Sequence, residues 1–166
     1  MPVESTIPVA LGSSLADFTR PSLVLPHLRG RDAAAIIHEL CVSLHRDNCI
    51  PELLPFYQAA LNQEMLTNSA QPSGIAFPHG RLGGVKRLAF ALGRVAEPVT
   101  WVAKSSSPVR LIFLVAVPAT DAATYLQLLA SLARLGQSPE LIGRLHQAEG
   151  QDEILTILNQ VRFRHP

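Results

Sequence analysis

The chain of 166 residues is poor in charged side chains. Only 16% of its residues are Asp, Glu, Lys or Arg, and 14 basic residues nearly balance 13 acidic ones, for a net charge of +1. Proteins that bind nucleic acid or an anionic membrane surface carry a surplus or a cluster of basic residues. We therefore expect no nucleic acid among the partners of this protein.

Cysteines and long apolar runs are scarce as well. The two cysteines, Cys41 and Cys49, lack the paired spacings of a disulfide framework, which favours a reduced protein. The first residues lack the basic start and the apolar stretch of a signal peptide. No apolar run approaches the ~20 residues that span a bilayer. We expect a soluble, cytoplasmic protein without membrane insertion.

Apolar residues are abundant by contrast and make up 48% of the chain. A chain of this length can bury one well-developed core, and it is too short for two ordinary domains. Residues 1–20 mix Ser, Pro and Gly with scattered apolar residues, so we expect them to form a loose or edge-lying arm. Residues 21–166 then form the single domain.

The first half of that domain predicts two helices. The apolar residues after Asp32 recur at helical spacing, and Asp32 itself suits the N-terminal cap. A second helix is predicted from about Pro51 to Leu66. The residues expected on its buried face are Leu54, Tyr57, Leu61 and Met65.

Strands and further helices follow. Pro26 restricts the first predicted strand to an edge of the sheet. The predicted strands are Ser22–Leu28, Gly74–Phe77, Arg87–Val95 and Val109–Val117. Three helices come after them, and the first begins at Thr120 or Asp121 and carries Leu126, Leu129, Leu132 and Ala133. Helices on either side of a buried sheet predict a single-domain, layered α/β sandwich.

Common catalytic motifs are missing, which leaves six histidines as candidates. His38, Cys41 and His45 share one face of the first helix, as metal ligands would need to. That face lies away from the centre of the apolar stripe, which favours two solvated histidines beside an edge cysteine. We therefore expect no metal ion, and no motif points to a cofactor.

His79 stands out because its neighbours are conformationally restricted. It lies between Pro78 and Gly80 in SGIAFPHGRLGG, which is typical of a turn after a short strand. The residues leave four interpretations open: an ordinary turn residue, a metal ligand, a catalytic base or a nucleophile. Pro78 restricts the backbone and Gly80 permits close approach by another molecule, which suits a nucleophile. The spacing alone nevertheless favours an ordinary turn residue.

The stretch GIAFPHGR, together with PVRLIFLVAVPATDAATYLQLLASLARL, resembles the IIA component of the phosphoenolpyruvate-dependent sugar phosphotransferase system. The resemblance is to the fructose–mannitol class, which includes nitrogen-regulatory proteins, and it covers roughly residues 22–162. It implies one α/β domain with a mixed sheet flanked by helices. It also implies that His79 accepts a phosphoryl group from the phosphocarrier protein HPr, and that the group passes to a IIB domain or serves a regulatory target.

The sequence departs from the family pattern beside that histidine. Gln63 stands where the family usually has an arginine, and Tyr125 where it usually has a second histidine. Arg81 is the nearest remaining cation in the sequence and is expected to compensate in part. The resemblance thus leaves three interpretations open. The protein is a phosphocarrier assisted by Gln63, Arg81 and Tyr125, a transfer-impaired regulatory binding module, or a IIA-like domain that serves in an unrelated assembly. Whether the chain is an enzyme stays open.

Overall fold

The computed structural model describes residues 13–102 and 107–163, which form helices packed on a sheet. The strands are β1 (Val24–Leu25), β2 (Ile75–Ala76), β3 (His79–Leu82), β4 (Ala89–Thr100) and β5 (Pro108–Pro118). The α-helices are α1 (Ala33–Arg46), α2 (Leu53–Thr67), α3 (Ala122–Gly136), α4 (Pro139–Gln147) and α5 (Gln151–Leu158). In the described ranges, no helix is long and apolar enough to cross a membrane.

The sheet is mixed. Its order is β1-β4-β5-β2, and β3 pairs with β5 beyond β2, on the same edge. The two long strands, β4 and β5, are antiparallel, whereas the three short strands run parallel to the strand each one pairs with. The predicted edge position of the first strand is confirmed, because β1 pairs only with β4.

Helices cover both faces of the sheet, as the layered α/β prediction requires. One apolar cluster joins α1 and α2 to one face, and a second joins α3, α4 and α5 to the other. The predicted start of α1 is confirmed, since the Asp32 side chain accepts a hydrogen bond from the Ala35 backbone N–H at 2.8 Å. The antiparallel pair at the centre is therefore buried on both sides, which explains its long apolar runs.

The prediction for the buried face of α2 was wrong. Leu54 and Met65 are 60% and 49% exposed, and Tyr57 and Leu61 are only partly buried. The buried residues are instead Phe56, Ala60 and Glu64. The apolar pattern predicted the wrong face because α2 packs on β3 through the Phe56 ring, which lies against Gly80.

The apolar residues that the sequence analysis placed on α3 are not all buried. Leu126 is 62% exposed and Ala133 is exposed, whereas Leu132 is fully buried as expected. The buried face consists of Leu128, Ser131, Leu132 and Leu135. This face continues the i, i+3, i+4, i+7 spacing of a core-facing helix, and the first turn of the helix, with Leu126, lies outside it.

The N-terminal arm was expected at residues 1–20, of which residues 1–12 lie outside the described part of the chain. Leu15, in a short 3-10 helix, is fully buried in the cluster beneath α3, α4 and α5. Its backbone N–H donates to the Val161 carbonyl at 3.0 Å. Residues 14–18 therefore pack against the end of the chain as part of the core.

Candidate functional site

His79 begins a strand and does not lie in a turn, which corrects the sequence prediction. Its Cα pairs with that of Val115 on β5, and the Val115 backbone N–H donates to the Pro78 carbonyl at 2.9 Å. Gly80 is needed because a Cβ there would lie 2.6 Å from Cε2 of Phe56. The close approach that we had expected from another molecule is thus made by α2 of the same chain.

The His79 ring contacts Tyr125, and Tyr125 in turn contacts Arg81. The centroids of the two rings are 5.4 Å apart and their planes meet at 41°. The Arg81 guanidinium carbon lies 5.9 Å from the Tyr125 centroid, which is within cation–π range. Tyr125 lies in the first turn of α3, so the positive end of that helix dipole is next to the imidazole.

A buried carboxylate that the sequence analysis missed also acts on this site. Glu64 is only 1% exposed, and its carboxylate accepts hydrogen bonds from the Trp101 indole at 2.6 Å and the Ser69 backbone N–H at 2.8 Å. The Ser69 hydroxyl donates to Glu64 as well, and accepts from the Phe77 N–H at 2.7 Å. This network fixes the chain two residues before His79. The available signal was the i, i+4 spacing of Phe56, Ala60 and Glu64.

The pKa of His79 is lowered, chiefly because burial penalises the charged imidazolium. The Arg81 charge lowers the pKa further, whereas the Glu64 charge and a hydrogen bond with the Phe77 backbone raise it. Because that last bond favours the protonated form, the imidazole is its donor. The other ring nitrogen of the neutral form is then an acceptor with a free lone pair, as a nucleophile requires.

Tyr125 complements this nitrogen with a proton donor. Burial raises the pKa of its phenol, against a smaller opposite effect of the Arg81 charge. The phenol therefore keeps its proton at neutral pH and can donate a hydrogen bond. A neutral nucleophile, a neutral donor and an exposed guanidinium thus lie side by side.

Gln63 does not join this group. It is half-buried on α2, and its backbone carbonyl accepts a hydrogen bond from the Thr67 hydroxyl at 2.8 Å. Over residues 13–102 and 107–163, no hydrogen bond links its side chain to His79. The structure thus brings Arg81 and Tyr125 together beside His79, whereas the part played by Gln63 stays a prediction.

The histidines of α1 are placed as predicted, but the cysteine is not. His38 and His45 are exposed, whereas Cys41 is fully buried in the core and does not lie at an edge. Burial raises the pKa of the Cys41 thiol to about 12, so it stays protonated and is a poor metal ligand. Among the described residues there is no group of three or more His, Cys, Asp or Glu that could hold a metal ion.

A mixed α/β sandwich that presents a half-buried histidine at a sheet edge fits a class of proteins, the IIA-type phosphocarriers and regulators. The chain belongs to the family "Phosphoenolpyruvate-dependent sugar phosphotransferase system, EIIA 2", whose family model matches residues 17–161. This match confirms the resemblance drawn from GIAFPHGR and the strand and helix that follow it.

Individual relatives come from both transport and regulation. The chain is 29% identical over 153 residues to the 2-O-alpha-mannosyl-D-glycerate-specific EIIABC component of Escherichia coli, covering 91% of this chain and 23% of the relative. It is 26% identical to a nitrogen regulatory protein of Bradyrhizobium diazoefficiens, and the match covers 87% of this chain and 94% of the relative. The fold resembles that of one chain in a complex of IIA and phosphorylated IIB mannitol enzymes from Escherichia coli, with a TM-score of 0.72 and 18% identity. The match covers 86% of this chain and 99% of that one. The chain thus spans under a quarter of the EIIABC relative and nearly all of the regulatory one.

Proposed function

We propose that the protein is a phosphohistidine carrier of the phosphotransferase system, and that His79 is the residue that carries the phosphoryl group. The observation that supports this most is the half-buried imidazole that β3 holds at a fixed position, because the direction of its pKa favours the neutral form, in which one ring nitrogen carries no proton. That nitrogen attacks the phosphorus atom of a phosphorylated HPr-like carrier. A nitrogen–phosphorus bond forms as the bond to the donor breaks, and the bonding electron pair leaves with the donor.

Arg81 and Tyr125 are suited to stabilise the transferred group. Phosphoryl transfer depends mostly on positioning and on charge stabilisation of the phosphoryl oxygens. The exposed guanidinium of Arg81 contacts the Tyr125 ring, which also contacts the imidazole, and a charged donor of this kind binds phosphate oxygens more strongly than a neutral one. In this proposal Arg81 takes the place of the arginine that the family usually has at position 63.

The next acceptor is a IIB domain or a regulatory target protein in the cytoplasm. The fold shared with an IIA enzyme solved in complex with phosphorylated IIB supports the first, and the similarity to a nitrogen regulatory protein over almost its whole length supports the second. A cytoplasmic location agrees with two free cysteines, of which Cys41 is buried.

A second candidate function is a regulatory binding module that transfers phosphoryl groups poorly or not at all. It is favoured by Gln63, which offers no charge at the family's arginine position and makes no hydrogen bond to His79 among the described residues. The two functions differ in one measurable respect, the amount of phosphoryl group that the protein takes up.

The test is incubation with phosphoenolpyruvate, enzyme I and HPr, followed by intact-mass measurement at alkaline pH, where phosphohistidine survives. We expect the wild type to gain one phosphoryl group and His79→Gln to gain none, because His79 is the histidine of the family's PHG element and lies beside Tyr125 and Arg81. His146→Gln is the matched control, since His146 is also half-buried, and it should be phosphorylated like the wild type.

A folded wild-type protein that gains no mass would refute the carrier and favour the binding module. A gain that persists in His79→Gln would instead place the phosphoryl group elsewhere. Circular dichroism of each variant establishes that the fold is intact.

A further inference from the structure

A polar cavity whose lining does not include His79 lies beside the start of β4. Its volume is about 380 Å³, which is within the range of small-molecule sites. Its walls come from the 3-10 segments before β1, the end of α1 and the segment that leads into β4. The apolar part of the wall includes Phe18, Leu23 and Leu88.

The charge of this cavity is strongly one-sided, although the whole chain is almost neutral. Its lining includes three cationic side chains, Arg20, Lys86 and Arg87, against a single carboxylate, Asp17. That carboxylate accepts a hydrogen bond from the Ser14 backbone N–H at 2.8 Å, and the cationic side chains of the lining still outnumber it. The cavity is therefore set up to attract an anion.

Two of the three cations are available to a ligand. Arg20 forms an ion pair with Asp47 at 3.0 Å, which holds its guanidinium at the rim. Lys86 and Arg87 are exposed, and neither has an ion pair or a hydrogen bond within the part of the chain that the structure describes. Adjacent basic residues with no carboxylate partner can both direct their donors to one anionic group.

The cavity wall also contains a polar atom without a partner. The hydroxyl oxygen of Thr19 is buried and makes no hydrogen bond to any described residue. A buried hydroxyl without a partner is costly, so such an atom in a binding cavity marks a position where a ligand or a water supplies the bond. The cavity thus has an apolar wall, the unpartnered hydroxyl of Thr19 and two available cations, Lys86 and Arg87. These features suit a small organic molecule that carries an anionic group.

We propose that this cavity binds an organic phosphate monoester of the size of a sugar phosphate. Lys86 and Arg87 contact the phosphate, Thr19 hydrogen-bonds to the ligand, and Phe18 and Leu88 contact its carbon skeleton. The site is separate from His79, so it does not depend on the carrier function. It would let the protein respond to the level of a phosphorylated metabolite.

The test is a titration of the full chain with glucose 6-phosphate, followed by the backbone amide signals of an isotope-labelled sample in NMR. Glucose and inorganic phosphate are titrated separately. We expect glucose 6-phosphate to shift the signals of Thr19, Cys49 and Leu88 in a saturable way, inorganic phosphate to shift them more weakly, and glucose to leave them unchanged.

Variants distinguish the site from general attraction of an anion. Lys86→Gln combined with Arg87→Gln should weaken binding by about tenfold or more, because two charged donors are lost. Thr19→Val, which keeps the shape, should weaken it less. The matched control replaces two exposed arginines that precede α1, Arg29→Gln with Arg31→Gln, and should bind like the wild type.

Three outcomes would overturn the proposal. They are shifts confined to the surroundings of His79 and Arg81, equal weakening in the control pair, and equal shifts with glucose. The substituted cations are exposed, so we expect each of these variants to fold. The dispersion of its NMR spectrum will check this. Phosphorylation of His79, tested separately, can succeed or fail without affecting this result.

Discussion

His79 and His146 are two half-buried histidines whose surroundings assign them to different tasks. Burial is the largest cause that lowers the pKa of each imidazole. Beside His79 the Glu64 charge opposes the Arg81 charge, whereas the charges that act on His146 are both positive, from Arg94 and Arg110. The Nδ1 atom of His146 is also buried without a hydrogen-bond partner among the described residues. Of these two histidines, His79 is thus the one that has a neighbouring acid and lies at the sheet edge.

The arginines beside the two histidines differ in the same way. Arg94 is 9% exposed, and its Nη1 donates to the carbonyls of Leu145 at 2.8 Å and Ala148 at 2.7 Å. These carbonyls lie at the end of α4, where a positive charge is favourable. Arg81 is exposed and faces an aromatic ring with no backbone acceptor among the described residues. A cation whose donors are all used stabilises the fold, and one whose donors are free can bind a ligand.

The largest expected effect comes from exchanging these two arginines for uncharged residues. Arg94→Met should lower the free energy of unfolding by about 3 kcal/mol, because several buried carbonyls lose a charged donor at once. Arg81→Gln should change it by less than ~0.5 kcal/mol, as exposed substitutions usually do, but it should slow phosphorylation of His79. Urea denaturation and the phosphorylation assay measure the two effects. Equal destabilisation by both variants would remove the distinction.

The next largest effect is expected from Glu64, the acidic neighbour that His79 has and His146 lacks. Glu64→Gln should lower the pKa of His79 further, because the carboxylate charge that favours the imidazolium is gone. It should also cost about 1 to 3 kcal/mol of stability, since the new amide group meets the Ser69 and Trp101 donors.

NMR titration of the histidine rings measures both pKa values in one sample. The pKa of His146 should stay unchanged in Glu64→Gln, and Glu97→Gln, an exposed position on β4, should leave both rings as they are in the wild type. A pKa of His79 that rises in Glu64→Gln would contradict the electrostatic account.

The smallest expected effect is on pH dependence. The pKa of His146 is lower in the folded protein than its ordinary value of 6.5, so the unfolded chain binds the proton more readily. The neutral His146 ring therefore makes its full contribution to the free energy of unfolding above about pH 6.5. This contribution is lost as the pH falls below that value. Urea denaturation between pH 7.5 and pH 5 should therefore show a shallower loss of stability in His146→Gln than in the wild type.

Gln147→Ala, at the exposed neighbouring position, is the control for that comparison and should keep the wild-type slope. His79 contributes in the same direction, because its pKa is lowered too, so part of the slope remains in His146→Gln. An unchanged slope would contradict a lowered pKa of His146 in the folded protein.

Sequence patterns predicted the long elements and failed for the short one that matters most. The cap at Asp32 and the apolar run of β5 are local signals, and both were read correctly. Strand β3 was not predicted, because its proline and glycine are typical of turns and its partner β5 is distant in sequence. Only the packed structure shows that Gly80 is required by Phe56.

The candidate site was partly predictable for a similar reason. The resemblance pointed to His79, Arg81 and Tyr125, which the structure brings together, although their roles stay predictions. Glu64 was overlooked because a buried carboxylate depends on its donors, and those come from Ser69 and from Trp101 far along the chain. Gln63 follows the family spacing but makes no hydrogen bond to His79 in the described residues.

Under the proposed function, the pairing of β3 with β5 would determine what another protein can detect once His79 carries a phosphoryl group. The backbone of His79–Leu82 is joined to β5, and the chain before it is tied to Glu64 through Ser69. Such a backbone resists displacement, so the two states of the protein would have nearly the same shape and would differ in surface potential. A partner would then discriminate between them electrostatically, and its preference should fade as salt is added.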